Sequence, residues 1–453
     1  MDTAPSPSDQ ADLAERFLEA AKAAGAESAD VIVAEGQALS IETRAGALEQ
    51  AERAEGVDLG LRVIMGKRQA CVAISDAAPQ SLAMAAERAV AMAREAPEDP
   101  HIGLASPDEL AEDPDIAGLD LEDFGSSQTP DQLQDAALSA EAAALAVTGI
   151  SKVESAGASY ARRHVHLAAT NGFSAGYGRS GFSLSCVAIT GEGTEMERDY
   201  YGDGRVYLSE LESAEEIGRK AAERTLERAG ARKPPTGHFP VLYDERVASG
   251  LIGHLLSAAN GSAVARGSSW LRDRLGERVL PAELSITEDP LRPRVSGSRP
   301  FDAEGLATRR REVVQNGVLT GWTLDLTTAR KLGMRSTGNA NRAPSSPPSP
   351  GLTNIALTQG SASRDDLIGQ MGTGLLVTSL IGATINPTTG DYSRGASGLW
   401  VENGQISHAV NECTIAGNLL DMLKSVTPAN DARTHRGYVV PSLLVEGLTI
   451  AGS

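Results

Sequence analysis

Three Asn-Gly pairs, each set between two runs of β-forming residues, constrain this chain more than any other feature. Asn171-Gly172 divides Val153–Ala169 from Phe173–Thr190. Asn316-Gly317 divides Arg309–Val314 from Val318–Leu324, and Asn403-Gly404 divides Gly395–Val401 from Gln405–Val410. Asn and Gly both tolerate the positive φ angles of a tight hairpin turn, so each pair predicts antiparallel strands. Near the N-terminus, Ala29–Ala34, Ala38–Thr43 and Val57–Ile64 read as strands, with Ala70–Ser75 turning back across Met65-Gly66-Lys67. Helices flank them. Ser8–Ala24 has Ser8 or Asp9 as its cap and stops at Gly25, and Pro79 opens a second helix. Thr129-Pro130-Asp131-Gln132 and Ser213-Ala214-Glu215-Glu216 are capping boxes for two more. This order predicts an α+β chain: an N-terminal antiparallel sheet with helices on one face, then a β-rich C-terminal domain, barrel- or sandwich-like.

Pro234-Pro235-Thr236-Gly237 marks the domain boundary, which gives an N-terminal domain at 1–233 and a C-terminal domain at 236–453. Within the first, residues 96–128 change character. Ten acids and no Lys or Arg lie between Glu98 and Asp123. That composition reads as a solvated connector in preference to an acidic recognition arm. Asn341–Leu352, a Pro/Ser loop, reads as a surface excursion in preference to a lid. The net charge of −19 argues against nucleic acid, whose phosphates recruit basic faces. No apolar run approaches the roughly 20 residues that span a bilayer. The opening MDTAPSPSDQ carries no basic-then-apolar signal pattern, and Cys71, Cys186 and Cys413 form no CxxC. Reduced thiols in a cytoplasmic protein are the expectation.

The residues alone define no self-sufficient active site. His164 and His166 share a strand face, but no third metal ligand follows at a useful spacing. His254 and Ser257 share a helix face, without a visible orienting acid or a GxSxG elbow. No GxGxxG lies between a strand and a helix, and no phosphate-binding GxxxxGK[ST] occurs. From Gly372 to Leu420 the chain is rich in Gly, Thr and Asn and reads as a polar loop followed by a hairpin. In that loop Asp391 and Arg394 could grip a peptide, but a salt bridge between them is the simpler reading.

Longer motifs add what these features leave open. Thr388–Gly395 (TTGDYSRG), Gly398–Gly404 (GLWVENG) and Thr414–Leu419 (TIAGNL) resemble the C-terminal signature of the TldD/PmbA family, in its PmbA (TldE) branch. Phe301–Gly305, Arg330–Gly333, Ser336–Asn339, Gly372–Leu375 and Leu448–Gly452 match in the same order; the resemblance covers the whole chain and is strongest after Gly237. It implies one subunit of a cytoplasmic heterodimeric zinc metalloprotease that cleaves unfolded or short peptides and matures microcin-type antibiotics. In that family the TldD-type partner carries an HExxxH helix, with two His on zinc and Glu as general base. The motif falls here on Ile252 to Ser257, Ile-Gly-His-Leu-Leu-Ser, where both His positions and the Glu are replaced. The resemblance thus implies no zinc in this chain and catalysis credited to the partner. Asp391, Tyr392, Ser393, Arg394, Asn403 and Asn418 are the candidates for peptide or partner contact. Two rivals stand beside it: an independent hydrolase using Ser257 and His254, and a homodimeric peptide-binding scaffold.

Overall fold

The computed structural model describes residues 7–452. The first six residues of the opening segment, read above for a signal pattern, lie outside the described residues. Helix α1 (Pro7–Ala23) carries Asp9 in its first turn, so the helix begins before the residues expected to cap it. Strands β1 (Ser28–Arg44), β2 (Ala47–Met65) and β3 (Arg68–Ile74) form a meander, and α2 (Pro79–Glu95) returns along it. After α3 (Pro130–Leu145), β4 (Ile150–Ala169), β5 (Ser174–Thr190) and β6 (Glu197–Arg205) extend the same sheet, and α4 (Ala214–Leu226) follows. All pairs are antiparallel, in the order β3-β2-β1-β4-β5-β6.

Strand periodicity assigns the two faces. Val31 and Val33 join Leu59, Leu61 and Val63 beneath Phe17 of α1 and Leu82 of α2. Further along the same face, Ile41 packs with Leu133 of α3 and Ile217 of α4. Ile32 points the other way, to Leu167, Phe173 and Phe301. The two short strands expected at 29–34 and 38–43 are one continuous strand. Gly36, between the two expected strands, pairs in register with Gly56 and Arg163, and a Cβ there would come within 2.8 Å of the Arg162 carbonyl oxygen. It is a point of close backbone approach instead of a turn.

The C-terminal half is built on a five-strand barrel. Strand β7 (Gly237–Tyr243) runs parallel to β8 (Gly374–Ile385) and antiparallel to β11 (Leu443–Ala451). Between them β8, β9 (Asp391–Glu402) and β10 (Gln405–Asn418) pair antiparallel, and β10–β11 closes the ring. Most of the stretch expected as loop from Gly372 to Gly395 is therefore strand. Asn403-Gly404 and Asn316-Gly317 both have positive φ at each residue, which is the hairpin geometry their sequence predicts. Helix α5 (Glu245–Ala258) packs Leu251, Ile252 and Leu255 into the core beside Val241, Leu375 and Ile415.

Two segments read as solvated keep exposed residues but are also tied down by contacts to distant parts of the chain. The acidic stretch is a strap tied to the C-terminal half. The Arg330 guanidinium donates to the carbonyls of His101, Gly103 and Leu104 at 3.1, 3.2 and 2.9 Å. Lys331 pairs with Asp99 at 2.8 Å and Arg294 with Asp120 at 2.6 Å. Glu122 and Asp123 are 9% and 6% exposed, so this end of the run is packed. Its counter-charges come mostly from residues far along the chain, which a local charge count misses. The Pro/Ser loop is pinned between the two halves: Arg342 reaches Asp30 and the Gly60 carbonyl, and Pro344 lies so close to Gly60 that no Cβ would fit. Arg62 holds the same Asp30, and the three charged side chains are buried together. Burial pushes the Asp30 carboxyl up, but Arg342 and Arg62 outweigh it and hold it below its ordinary value. Among the described residues, no helix is long and apolar enough to cross a membrane.

Candidate functional site

Asp244 follows the last residue of β7 and caps α5, accepting the Arg246 N–H at 3.3 Å. The helix is amphipathic by period, and its buried stripe is Leu251, Ile252, Leu255 and Leu256. His254 turns inward beside this stripe. Its ring meets Tyr392 of β9 edge-on, with centroids 5.9 Å apart. Tyr392 and Arg394 are two apart on β9 and so share a face, and Tyr243 ends β7 beneath them.

Two polar atoms in this cluster are buried without a hydrogen-bond partner, His254 Nε2 and Arg394 Nε, while the Tyr243 and Tyr392 hydroxyls bond each other. A buried orphan costs on the order of 1–3 kcal/mol, so two in one place mark a site that takes a ligand group or water. Burial, then the Arg394 charge, lower the His254 pKa, which keeps the imidazole neutral near pH 7. Burial, reinforced by the neighbouring Tyr392, raises Tyr243 well above the ordinary tyrosine value. Burial raises Tyr392 as well, so both phenols stay protonated. A neutral imidazole, two phenols and a guanidinium can hold carbonyl or carboxylate groups. They supply neither a carboxylate base nor a thiolate.

Nor do these residues fit a zinc ion. In the motif's slots Ile252 is packed into the core, Gly253 has open space where a side chain would project, and Ser257 is exposed. Arg394 puts a positive charge beside His254, where a dication would need negative ligands. Cys413 donates its Sγ–H to the Ala396 carbonyl at 3.2 Å, and burial pushes its thiol up to about 11. Among the described residues, no group of three or more His, Cys, Asp or Glu comes together in a way that could hold a metal ion.

The contact candidates separate. Asp391 and Arg394 do not pair: three residues apart on one strand, they project to opposite faces. Asp391 instead accepts from Thr389 Oγ1 at 2.6 Å and Asn418 Nδ2 at 3.2 Å. Asn418 also caps the helix Leu419–Lys424 through the Leu420 N–H, and Asn403 serves the hairpin turn. Ser393 is half-buried on the Asp391 side of β9. Of the six, Tyr392 and Arg394 enter the buried cluster. His254 and Ser257 make no hydrogen bond to each other. His164 bonds Glu122 at 3.2 Å and His166 bonds Ser174 at 2.9 Å, so this pair shares no ligand. Sequence reading missed Tyr243. The available signal for the others was the two-residue spacing of Tyr392 and Arg394.

A helix-covered antiparallel sheet joined to a closed barrel, with polar groups gathered under the helix after β7, defines a class with known members. Profiles of the PmbA/TldA metallopeptidase match in order: domain 1 at residues 29–93, the central domain at 125–229 and the C-terminal domain at 236–452. Metalloprotease PmbA of Escherichia coli O157:H7 is 38% identical over 433 residues, which is 94% of this chain and 92% of that one. A solved chain from Bacteroides thetaiotaomicron, described as a proposed modulator of DNA gyrase, superposes with a TM-score of 0.90. Its identity is 26%, and the match covers 99% of this chain and 100% of that one. TldE from Thermococcus kodakarensis shares the fold, with a TM-score of 0.83 at 20% identity over 97% and 100% of the two chains. The chain therefore belongs to the PmbA/TldD metallopeptidase family. Within that family it falls in the PmbA/TldE branch.

Proposed function

We propose that this chain is the PmbA/TldE-type subunit of a cytoplasmic, heterodimeric zinc metalloprotease that acts on unfolded or short peptides, in turnover or in peptide maturation. The zinc and its HExxxH helix come from a TldD-type partner. One observation carries this reading: α5, the helix on which the motif falls, has Ile252 in the core, Ser257 outside and Arg394 against its one histidine. This chain then completes the complex and helps to hold an extended substrate, through main-chain hydrogen bonds that demand little of its sequence.

The test is to express the chain alone, measure its metal content and assay cleavage of an unstructured peptide on the same sample. The expected result is no stoichiometric zinc and no cleavage, with chelator-sensitive cleavage appearing when the HExxxH chain is added. Stoichiometric zinc with activity in the lone chain would overturn the reading. So would stable self-association with no affinity for the HExxxH chain.

A further inference from the structure

The face of the six-stranded sheet that carries no helices holds two arginines in register, Arg163 of β4 directly opposite Arg179 of β5. Like charges directly opposite on one face destabilise a sheet unless something neutralises them. On the other face the same strands have a neutraliser: Glu122 from the strap lies 3.2 Å from both Arg162 and His164. Arg163 and Arg179 have none. Arg179 donates to the carbonyls of Ser296 and Ser298 and lies over the Tyr177 ring, while Arg163 is exposed and without an ion pair among the described residues.

These arginines line a cleft of about 340 Å³ between the sheet and the loops of the C-terminal half. That is within the usual range for a small-ligand site. Arg299 lines the same cleft. It is 8% exposed, its other nitrogens bond only neutral oxygens, and its Nε has no partner. Asp302, the acid of this lining, already accepts three backbone N–H groups, from Glu304, Leu306 and Ala340. Beside the guanidinium groups the surface is apolar: Ile32, Val165, Leu167 and Phe301. So a chain of net charge −19 keeps two guanidinium groups, Arg163 and Arg179, without a carboxylate partner at one cleft, next to an apolar floor, with Arg299 beside Asp302.

We propose that this cleft binds the C-terminal carboxylate of a peptide, with the last side chain, an apolar one, seated on Val165, Leu167 and Phe301. Guanidinium forks match a carboxylate bidentately, and the apolar floor distinguishes a peptide end from a bare inorganic anion. The assignment deepens the peptide-handling role proposed above and rests on it. Substrate or product is then gripped by its end, at a place away from the α5 cluster.

The experiment titrates the purified chain, without a partner, with a fluorescent hexapeptide ending in leucine as the free acid, then with its C-terminal amide. Inorganic phosphate serves as competitor. The free acid is expected to bind at least about tenfold more tightly than the amide, a difference of roughly 1.4 kcal/mol. Arg163→Ala is expected to lose about the same factor, and Arg163→Lys to retain part of the binding. Because Arg163 is exposed and unpaired, Arg163→Ala keeps or raises the melting temperature, which separates lost binding from lost folding. Equal binding of acid and amide, no binding at all, or phosphate binding as tightly as the peptide would each overturn the proposal. If carboxylate binding fails while partner-dependent cleavage persists, only the cleft is refuted. The reverse pattern refutes the subunit reading and leaves the cleft.

Discussion

Glu304 shows how a single side chain can carry a pH dependence that no local sequence feature announces. It is buried; Oε2 accepts the Leu326 N–H at 2.8 Å and Oε1 has no partner. Burial, then the neighbouring Asp302, raise its pKa well above the ordinary glutamate value, although Arg62 pulls the other way. A raised native pKa means that the folded chain holds the proton more tightly than the unfolded one. The stability this contributes is complete below the ordinary glutamate range and is lost as pH rises through the native value. Glu304→Gln keeps the shape and the acceptor but cannot ionise. Its melting temperature is expected to exceed that of the wild type at pH 8, since each tenfold tightening of the proton in the native state corresponds to about 1.4 kcal/mol. The advantage should shrink towards pH 4. Thermal melts across this range check it, and parallel pH curves for the two proteins would refute it.

At the scale of elements, β1 sets a test in which two glycines facing each other behave oppositely. Gly36 and Gly56 pair in register on β1 and β2. A Cβ at Gly36 meets the Arg162 carbonyl oxygen at 2.8 Å, whereas one at Gly56 meets nothing within 4 Å. Gly36→Ala is therefore expected to destabilise by about 1–3 kcal/mol, since backbone must move to admit the methyl group. Gly56→Ala should be neutral or stabilising by up to about 1 kcal/mol, through the smaller entropy of the unfolded chain. Urea denaturation of both variants decides the matter; equal effects would show that β1 and β4 do not approach as closely as described. Hairpins and the caps at Thr129 and Ser213 were legible in the sequence because they rest on a few neighbouring residues. Ser213 nevertheless caps without the reciprocal Glu216 contact, and α1 starts ahead of its expected cap. The Thr129 capping box forms as read, with the Gln132 N–H donating to Thr129 Oγ1 at 3.3 Å. Gly36 was not legible, because its role depends on a strand more than a hundred residues away.

For the whole molecule, the strap between Glu98 and Asp123 helps to join the halves. Arg330→Ala removes the donor to three of its carbonyls. The variant is expected to be cut within the strap by a glutamate-specific protease several-fold faster than the wild type, with sites at Glu109 and Glu112 exposed. Trypsin offers no such probe, because the stretch contains no Lys or Arg. Cleavage rates followed by mass spectrometry test this; unchanged rates would mean that the strap is held without Arg330.

The sequence by itself determined the α+β class, the antiparallel hairpins, the Thr129 capping box and the family. Each of these is written in adjacent residues or in motifs that keep their order. Tertiary structure alone decided which charges meet. It set Asp391 with Asn418 instead of Arg394, Asp30 with Arg342, and Arg163 opposite Arg179 with no acid between them. It also turned His254 towards Tyr392 and Arg394. The physical reason is common to all of these. Strand alternation and register choose the face a side chain takes, and the partners on that face come from segments that only folding brings together.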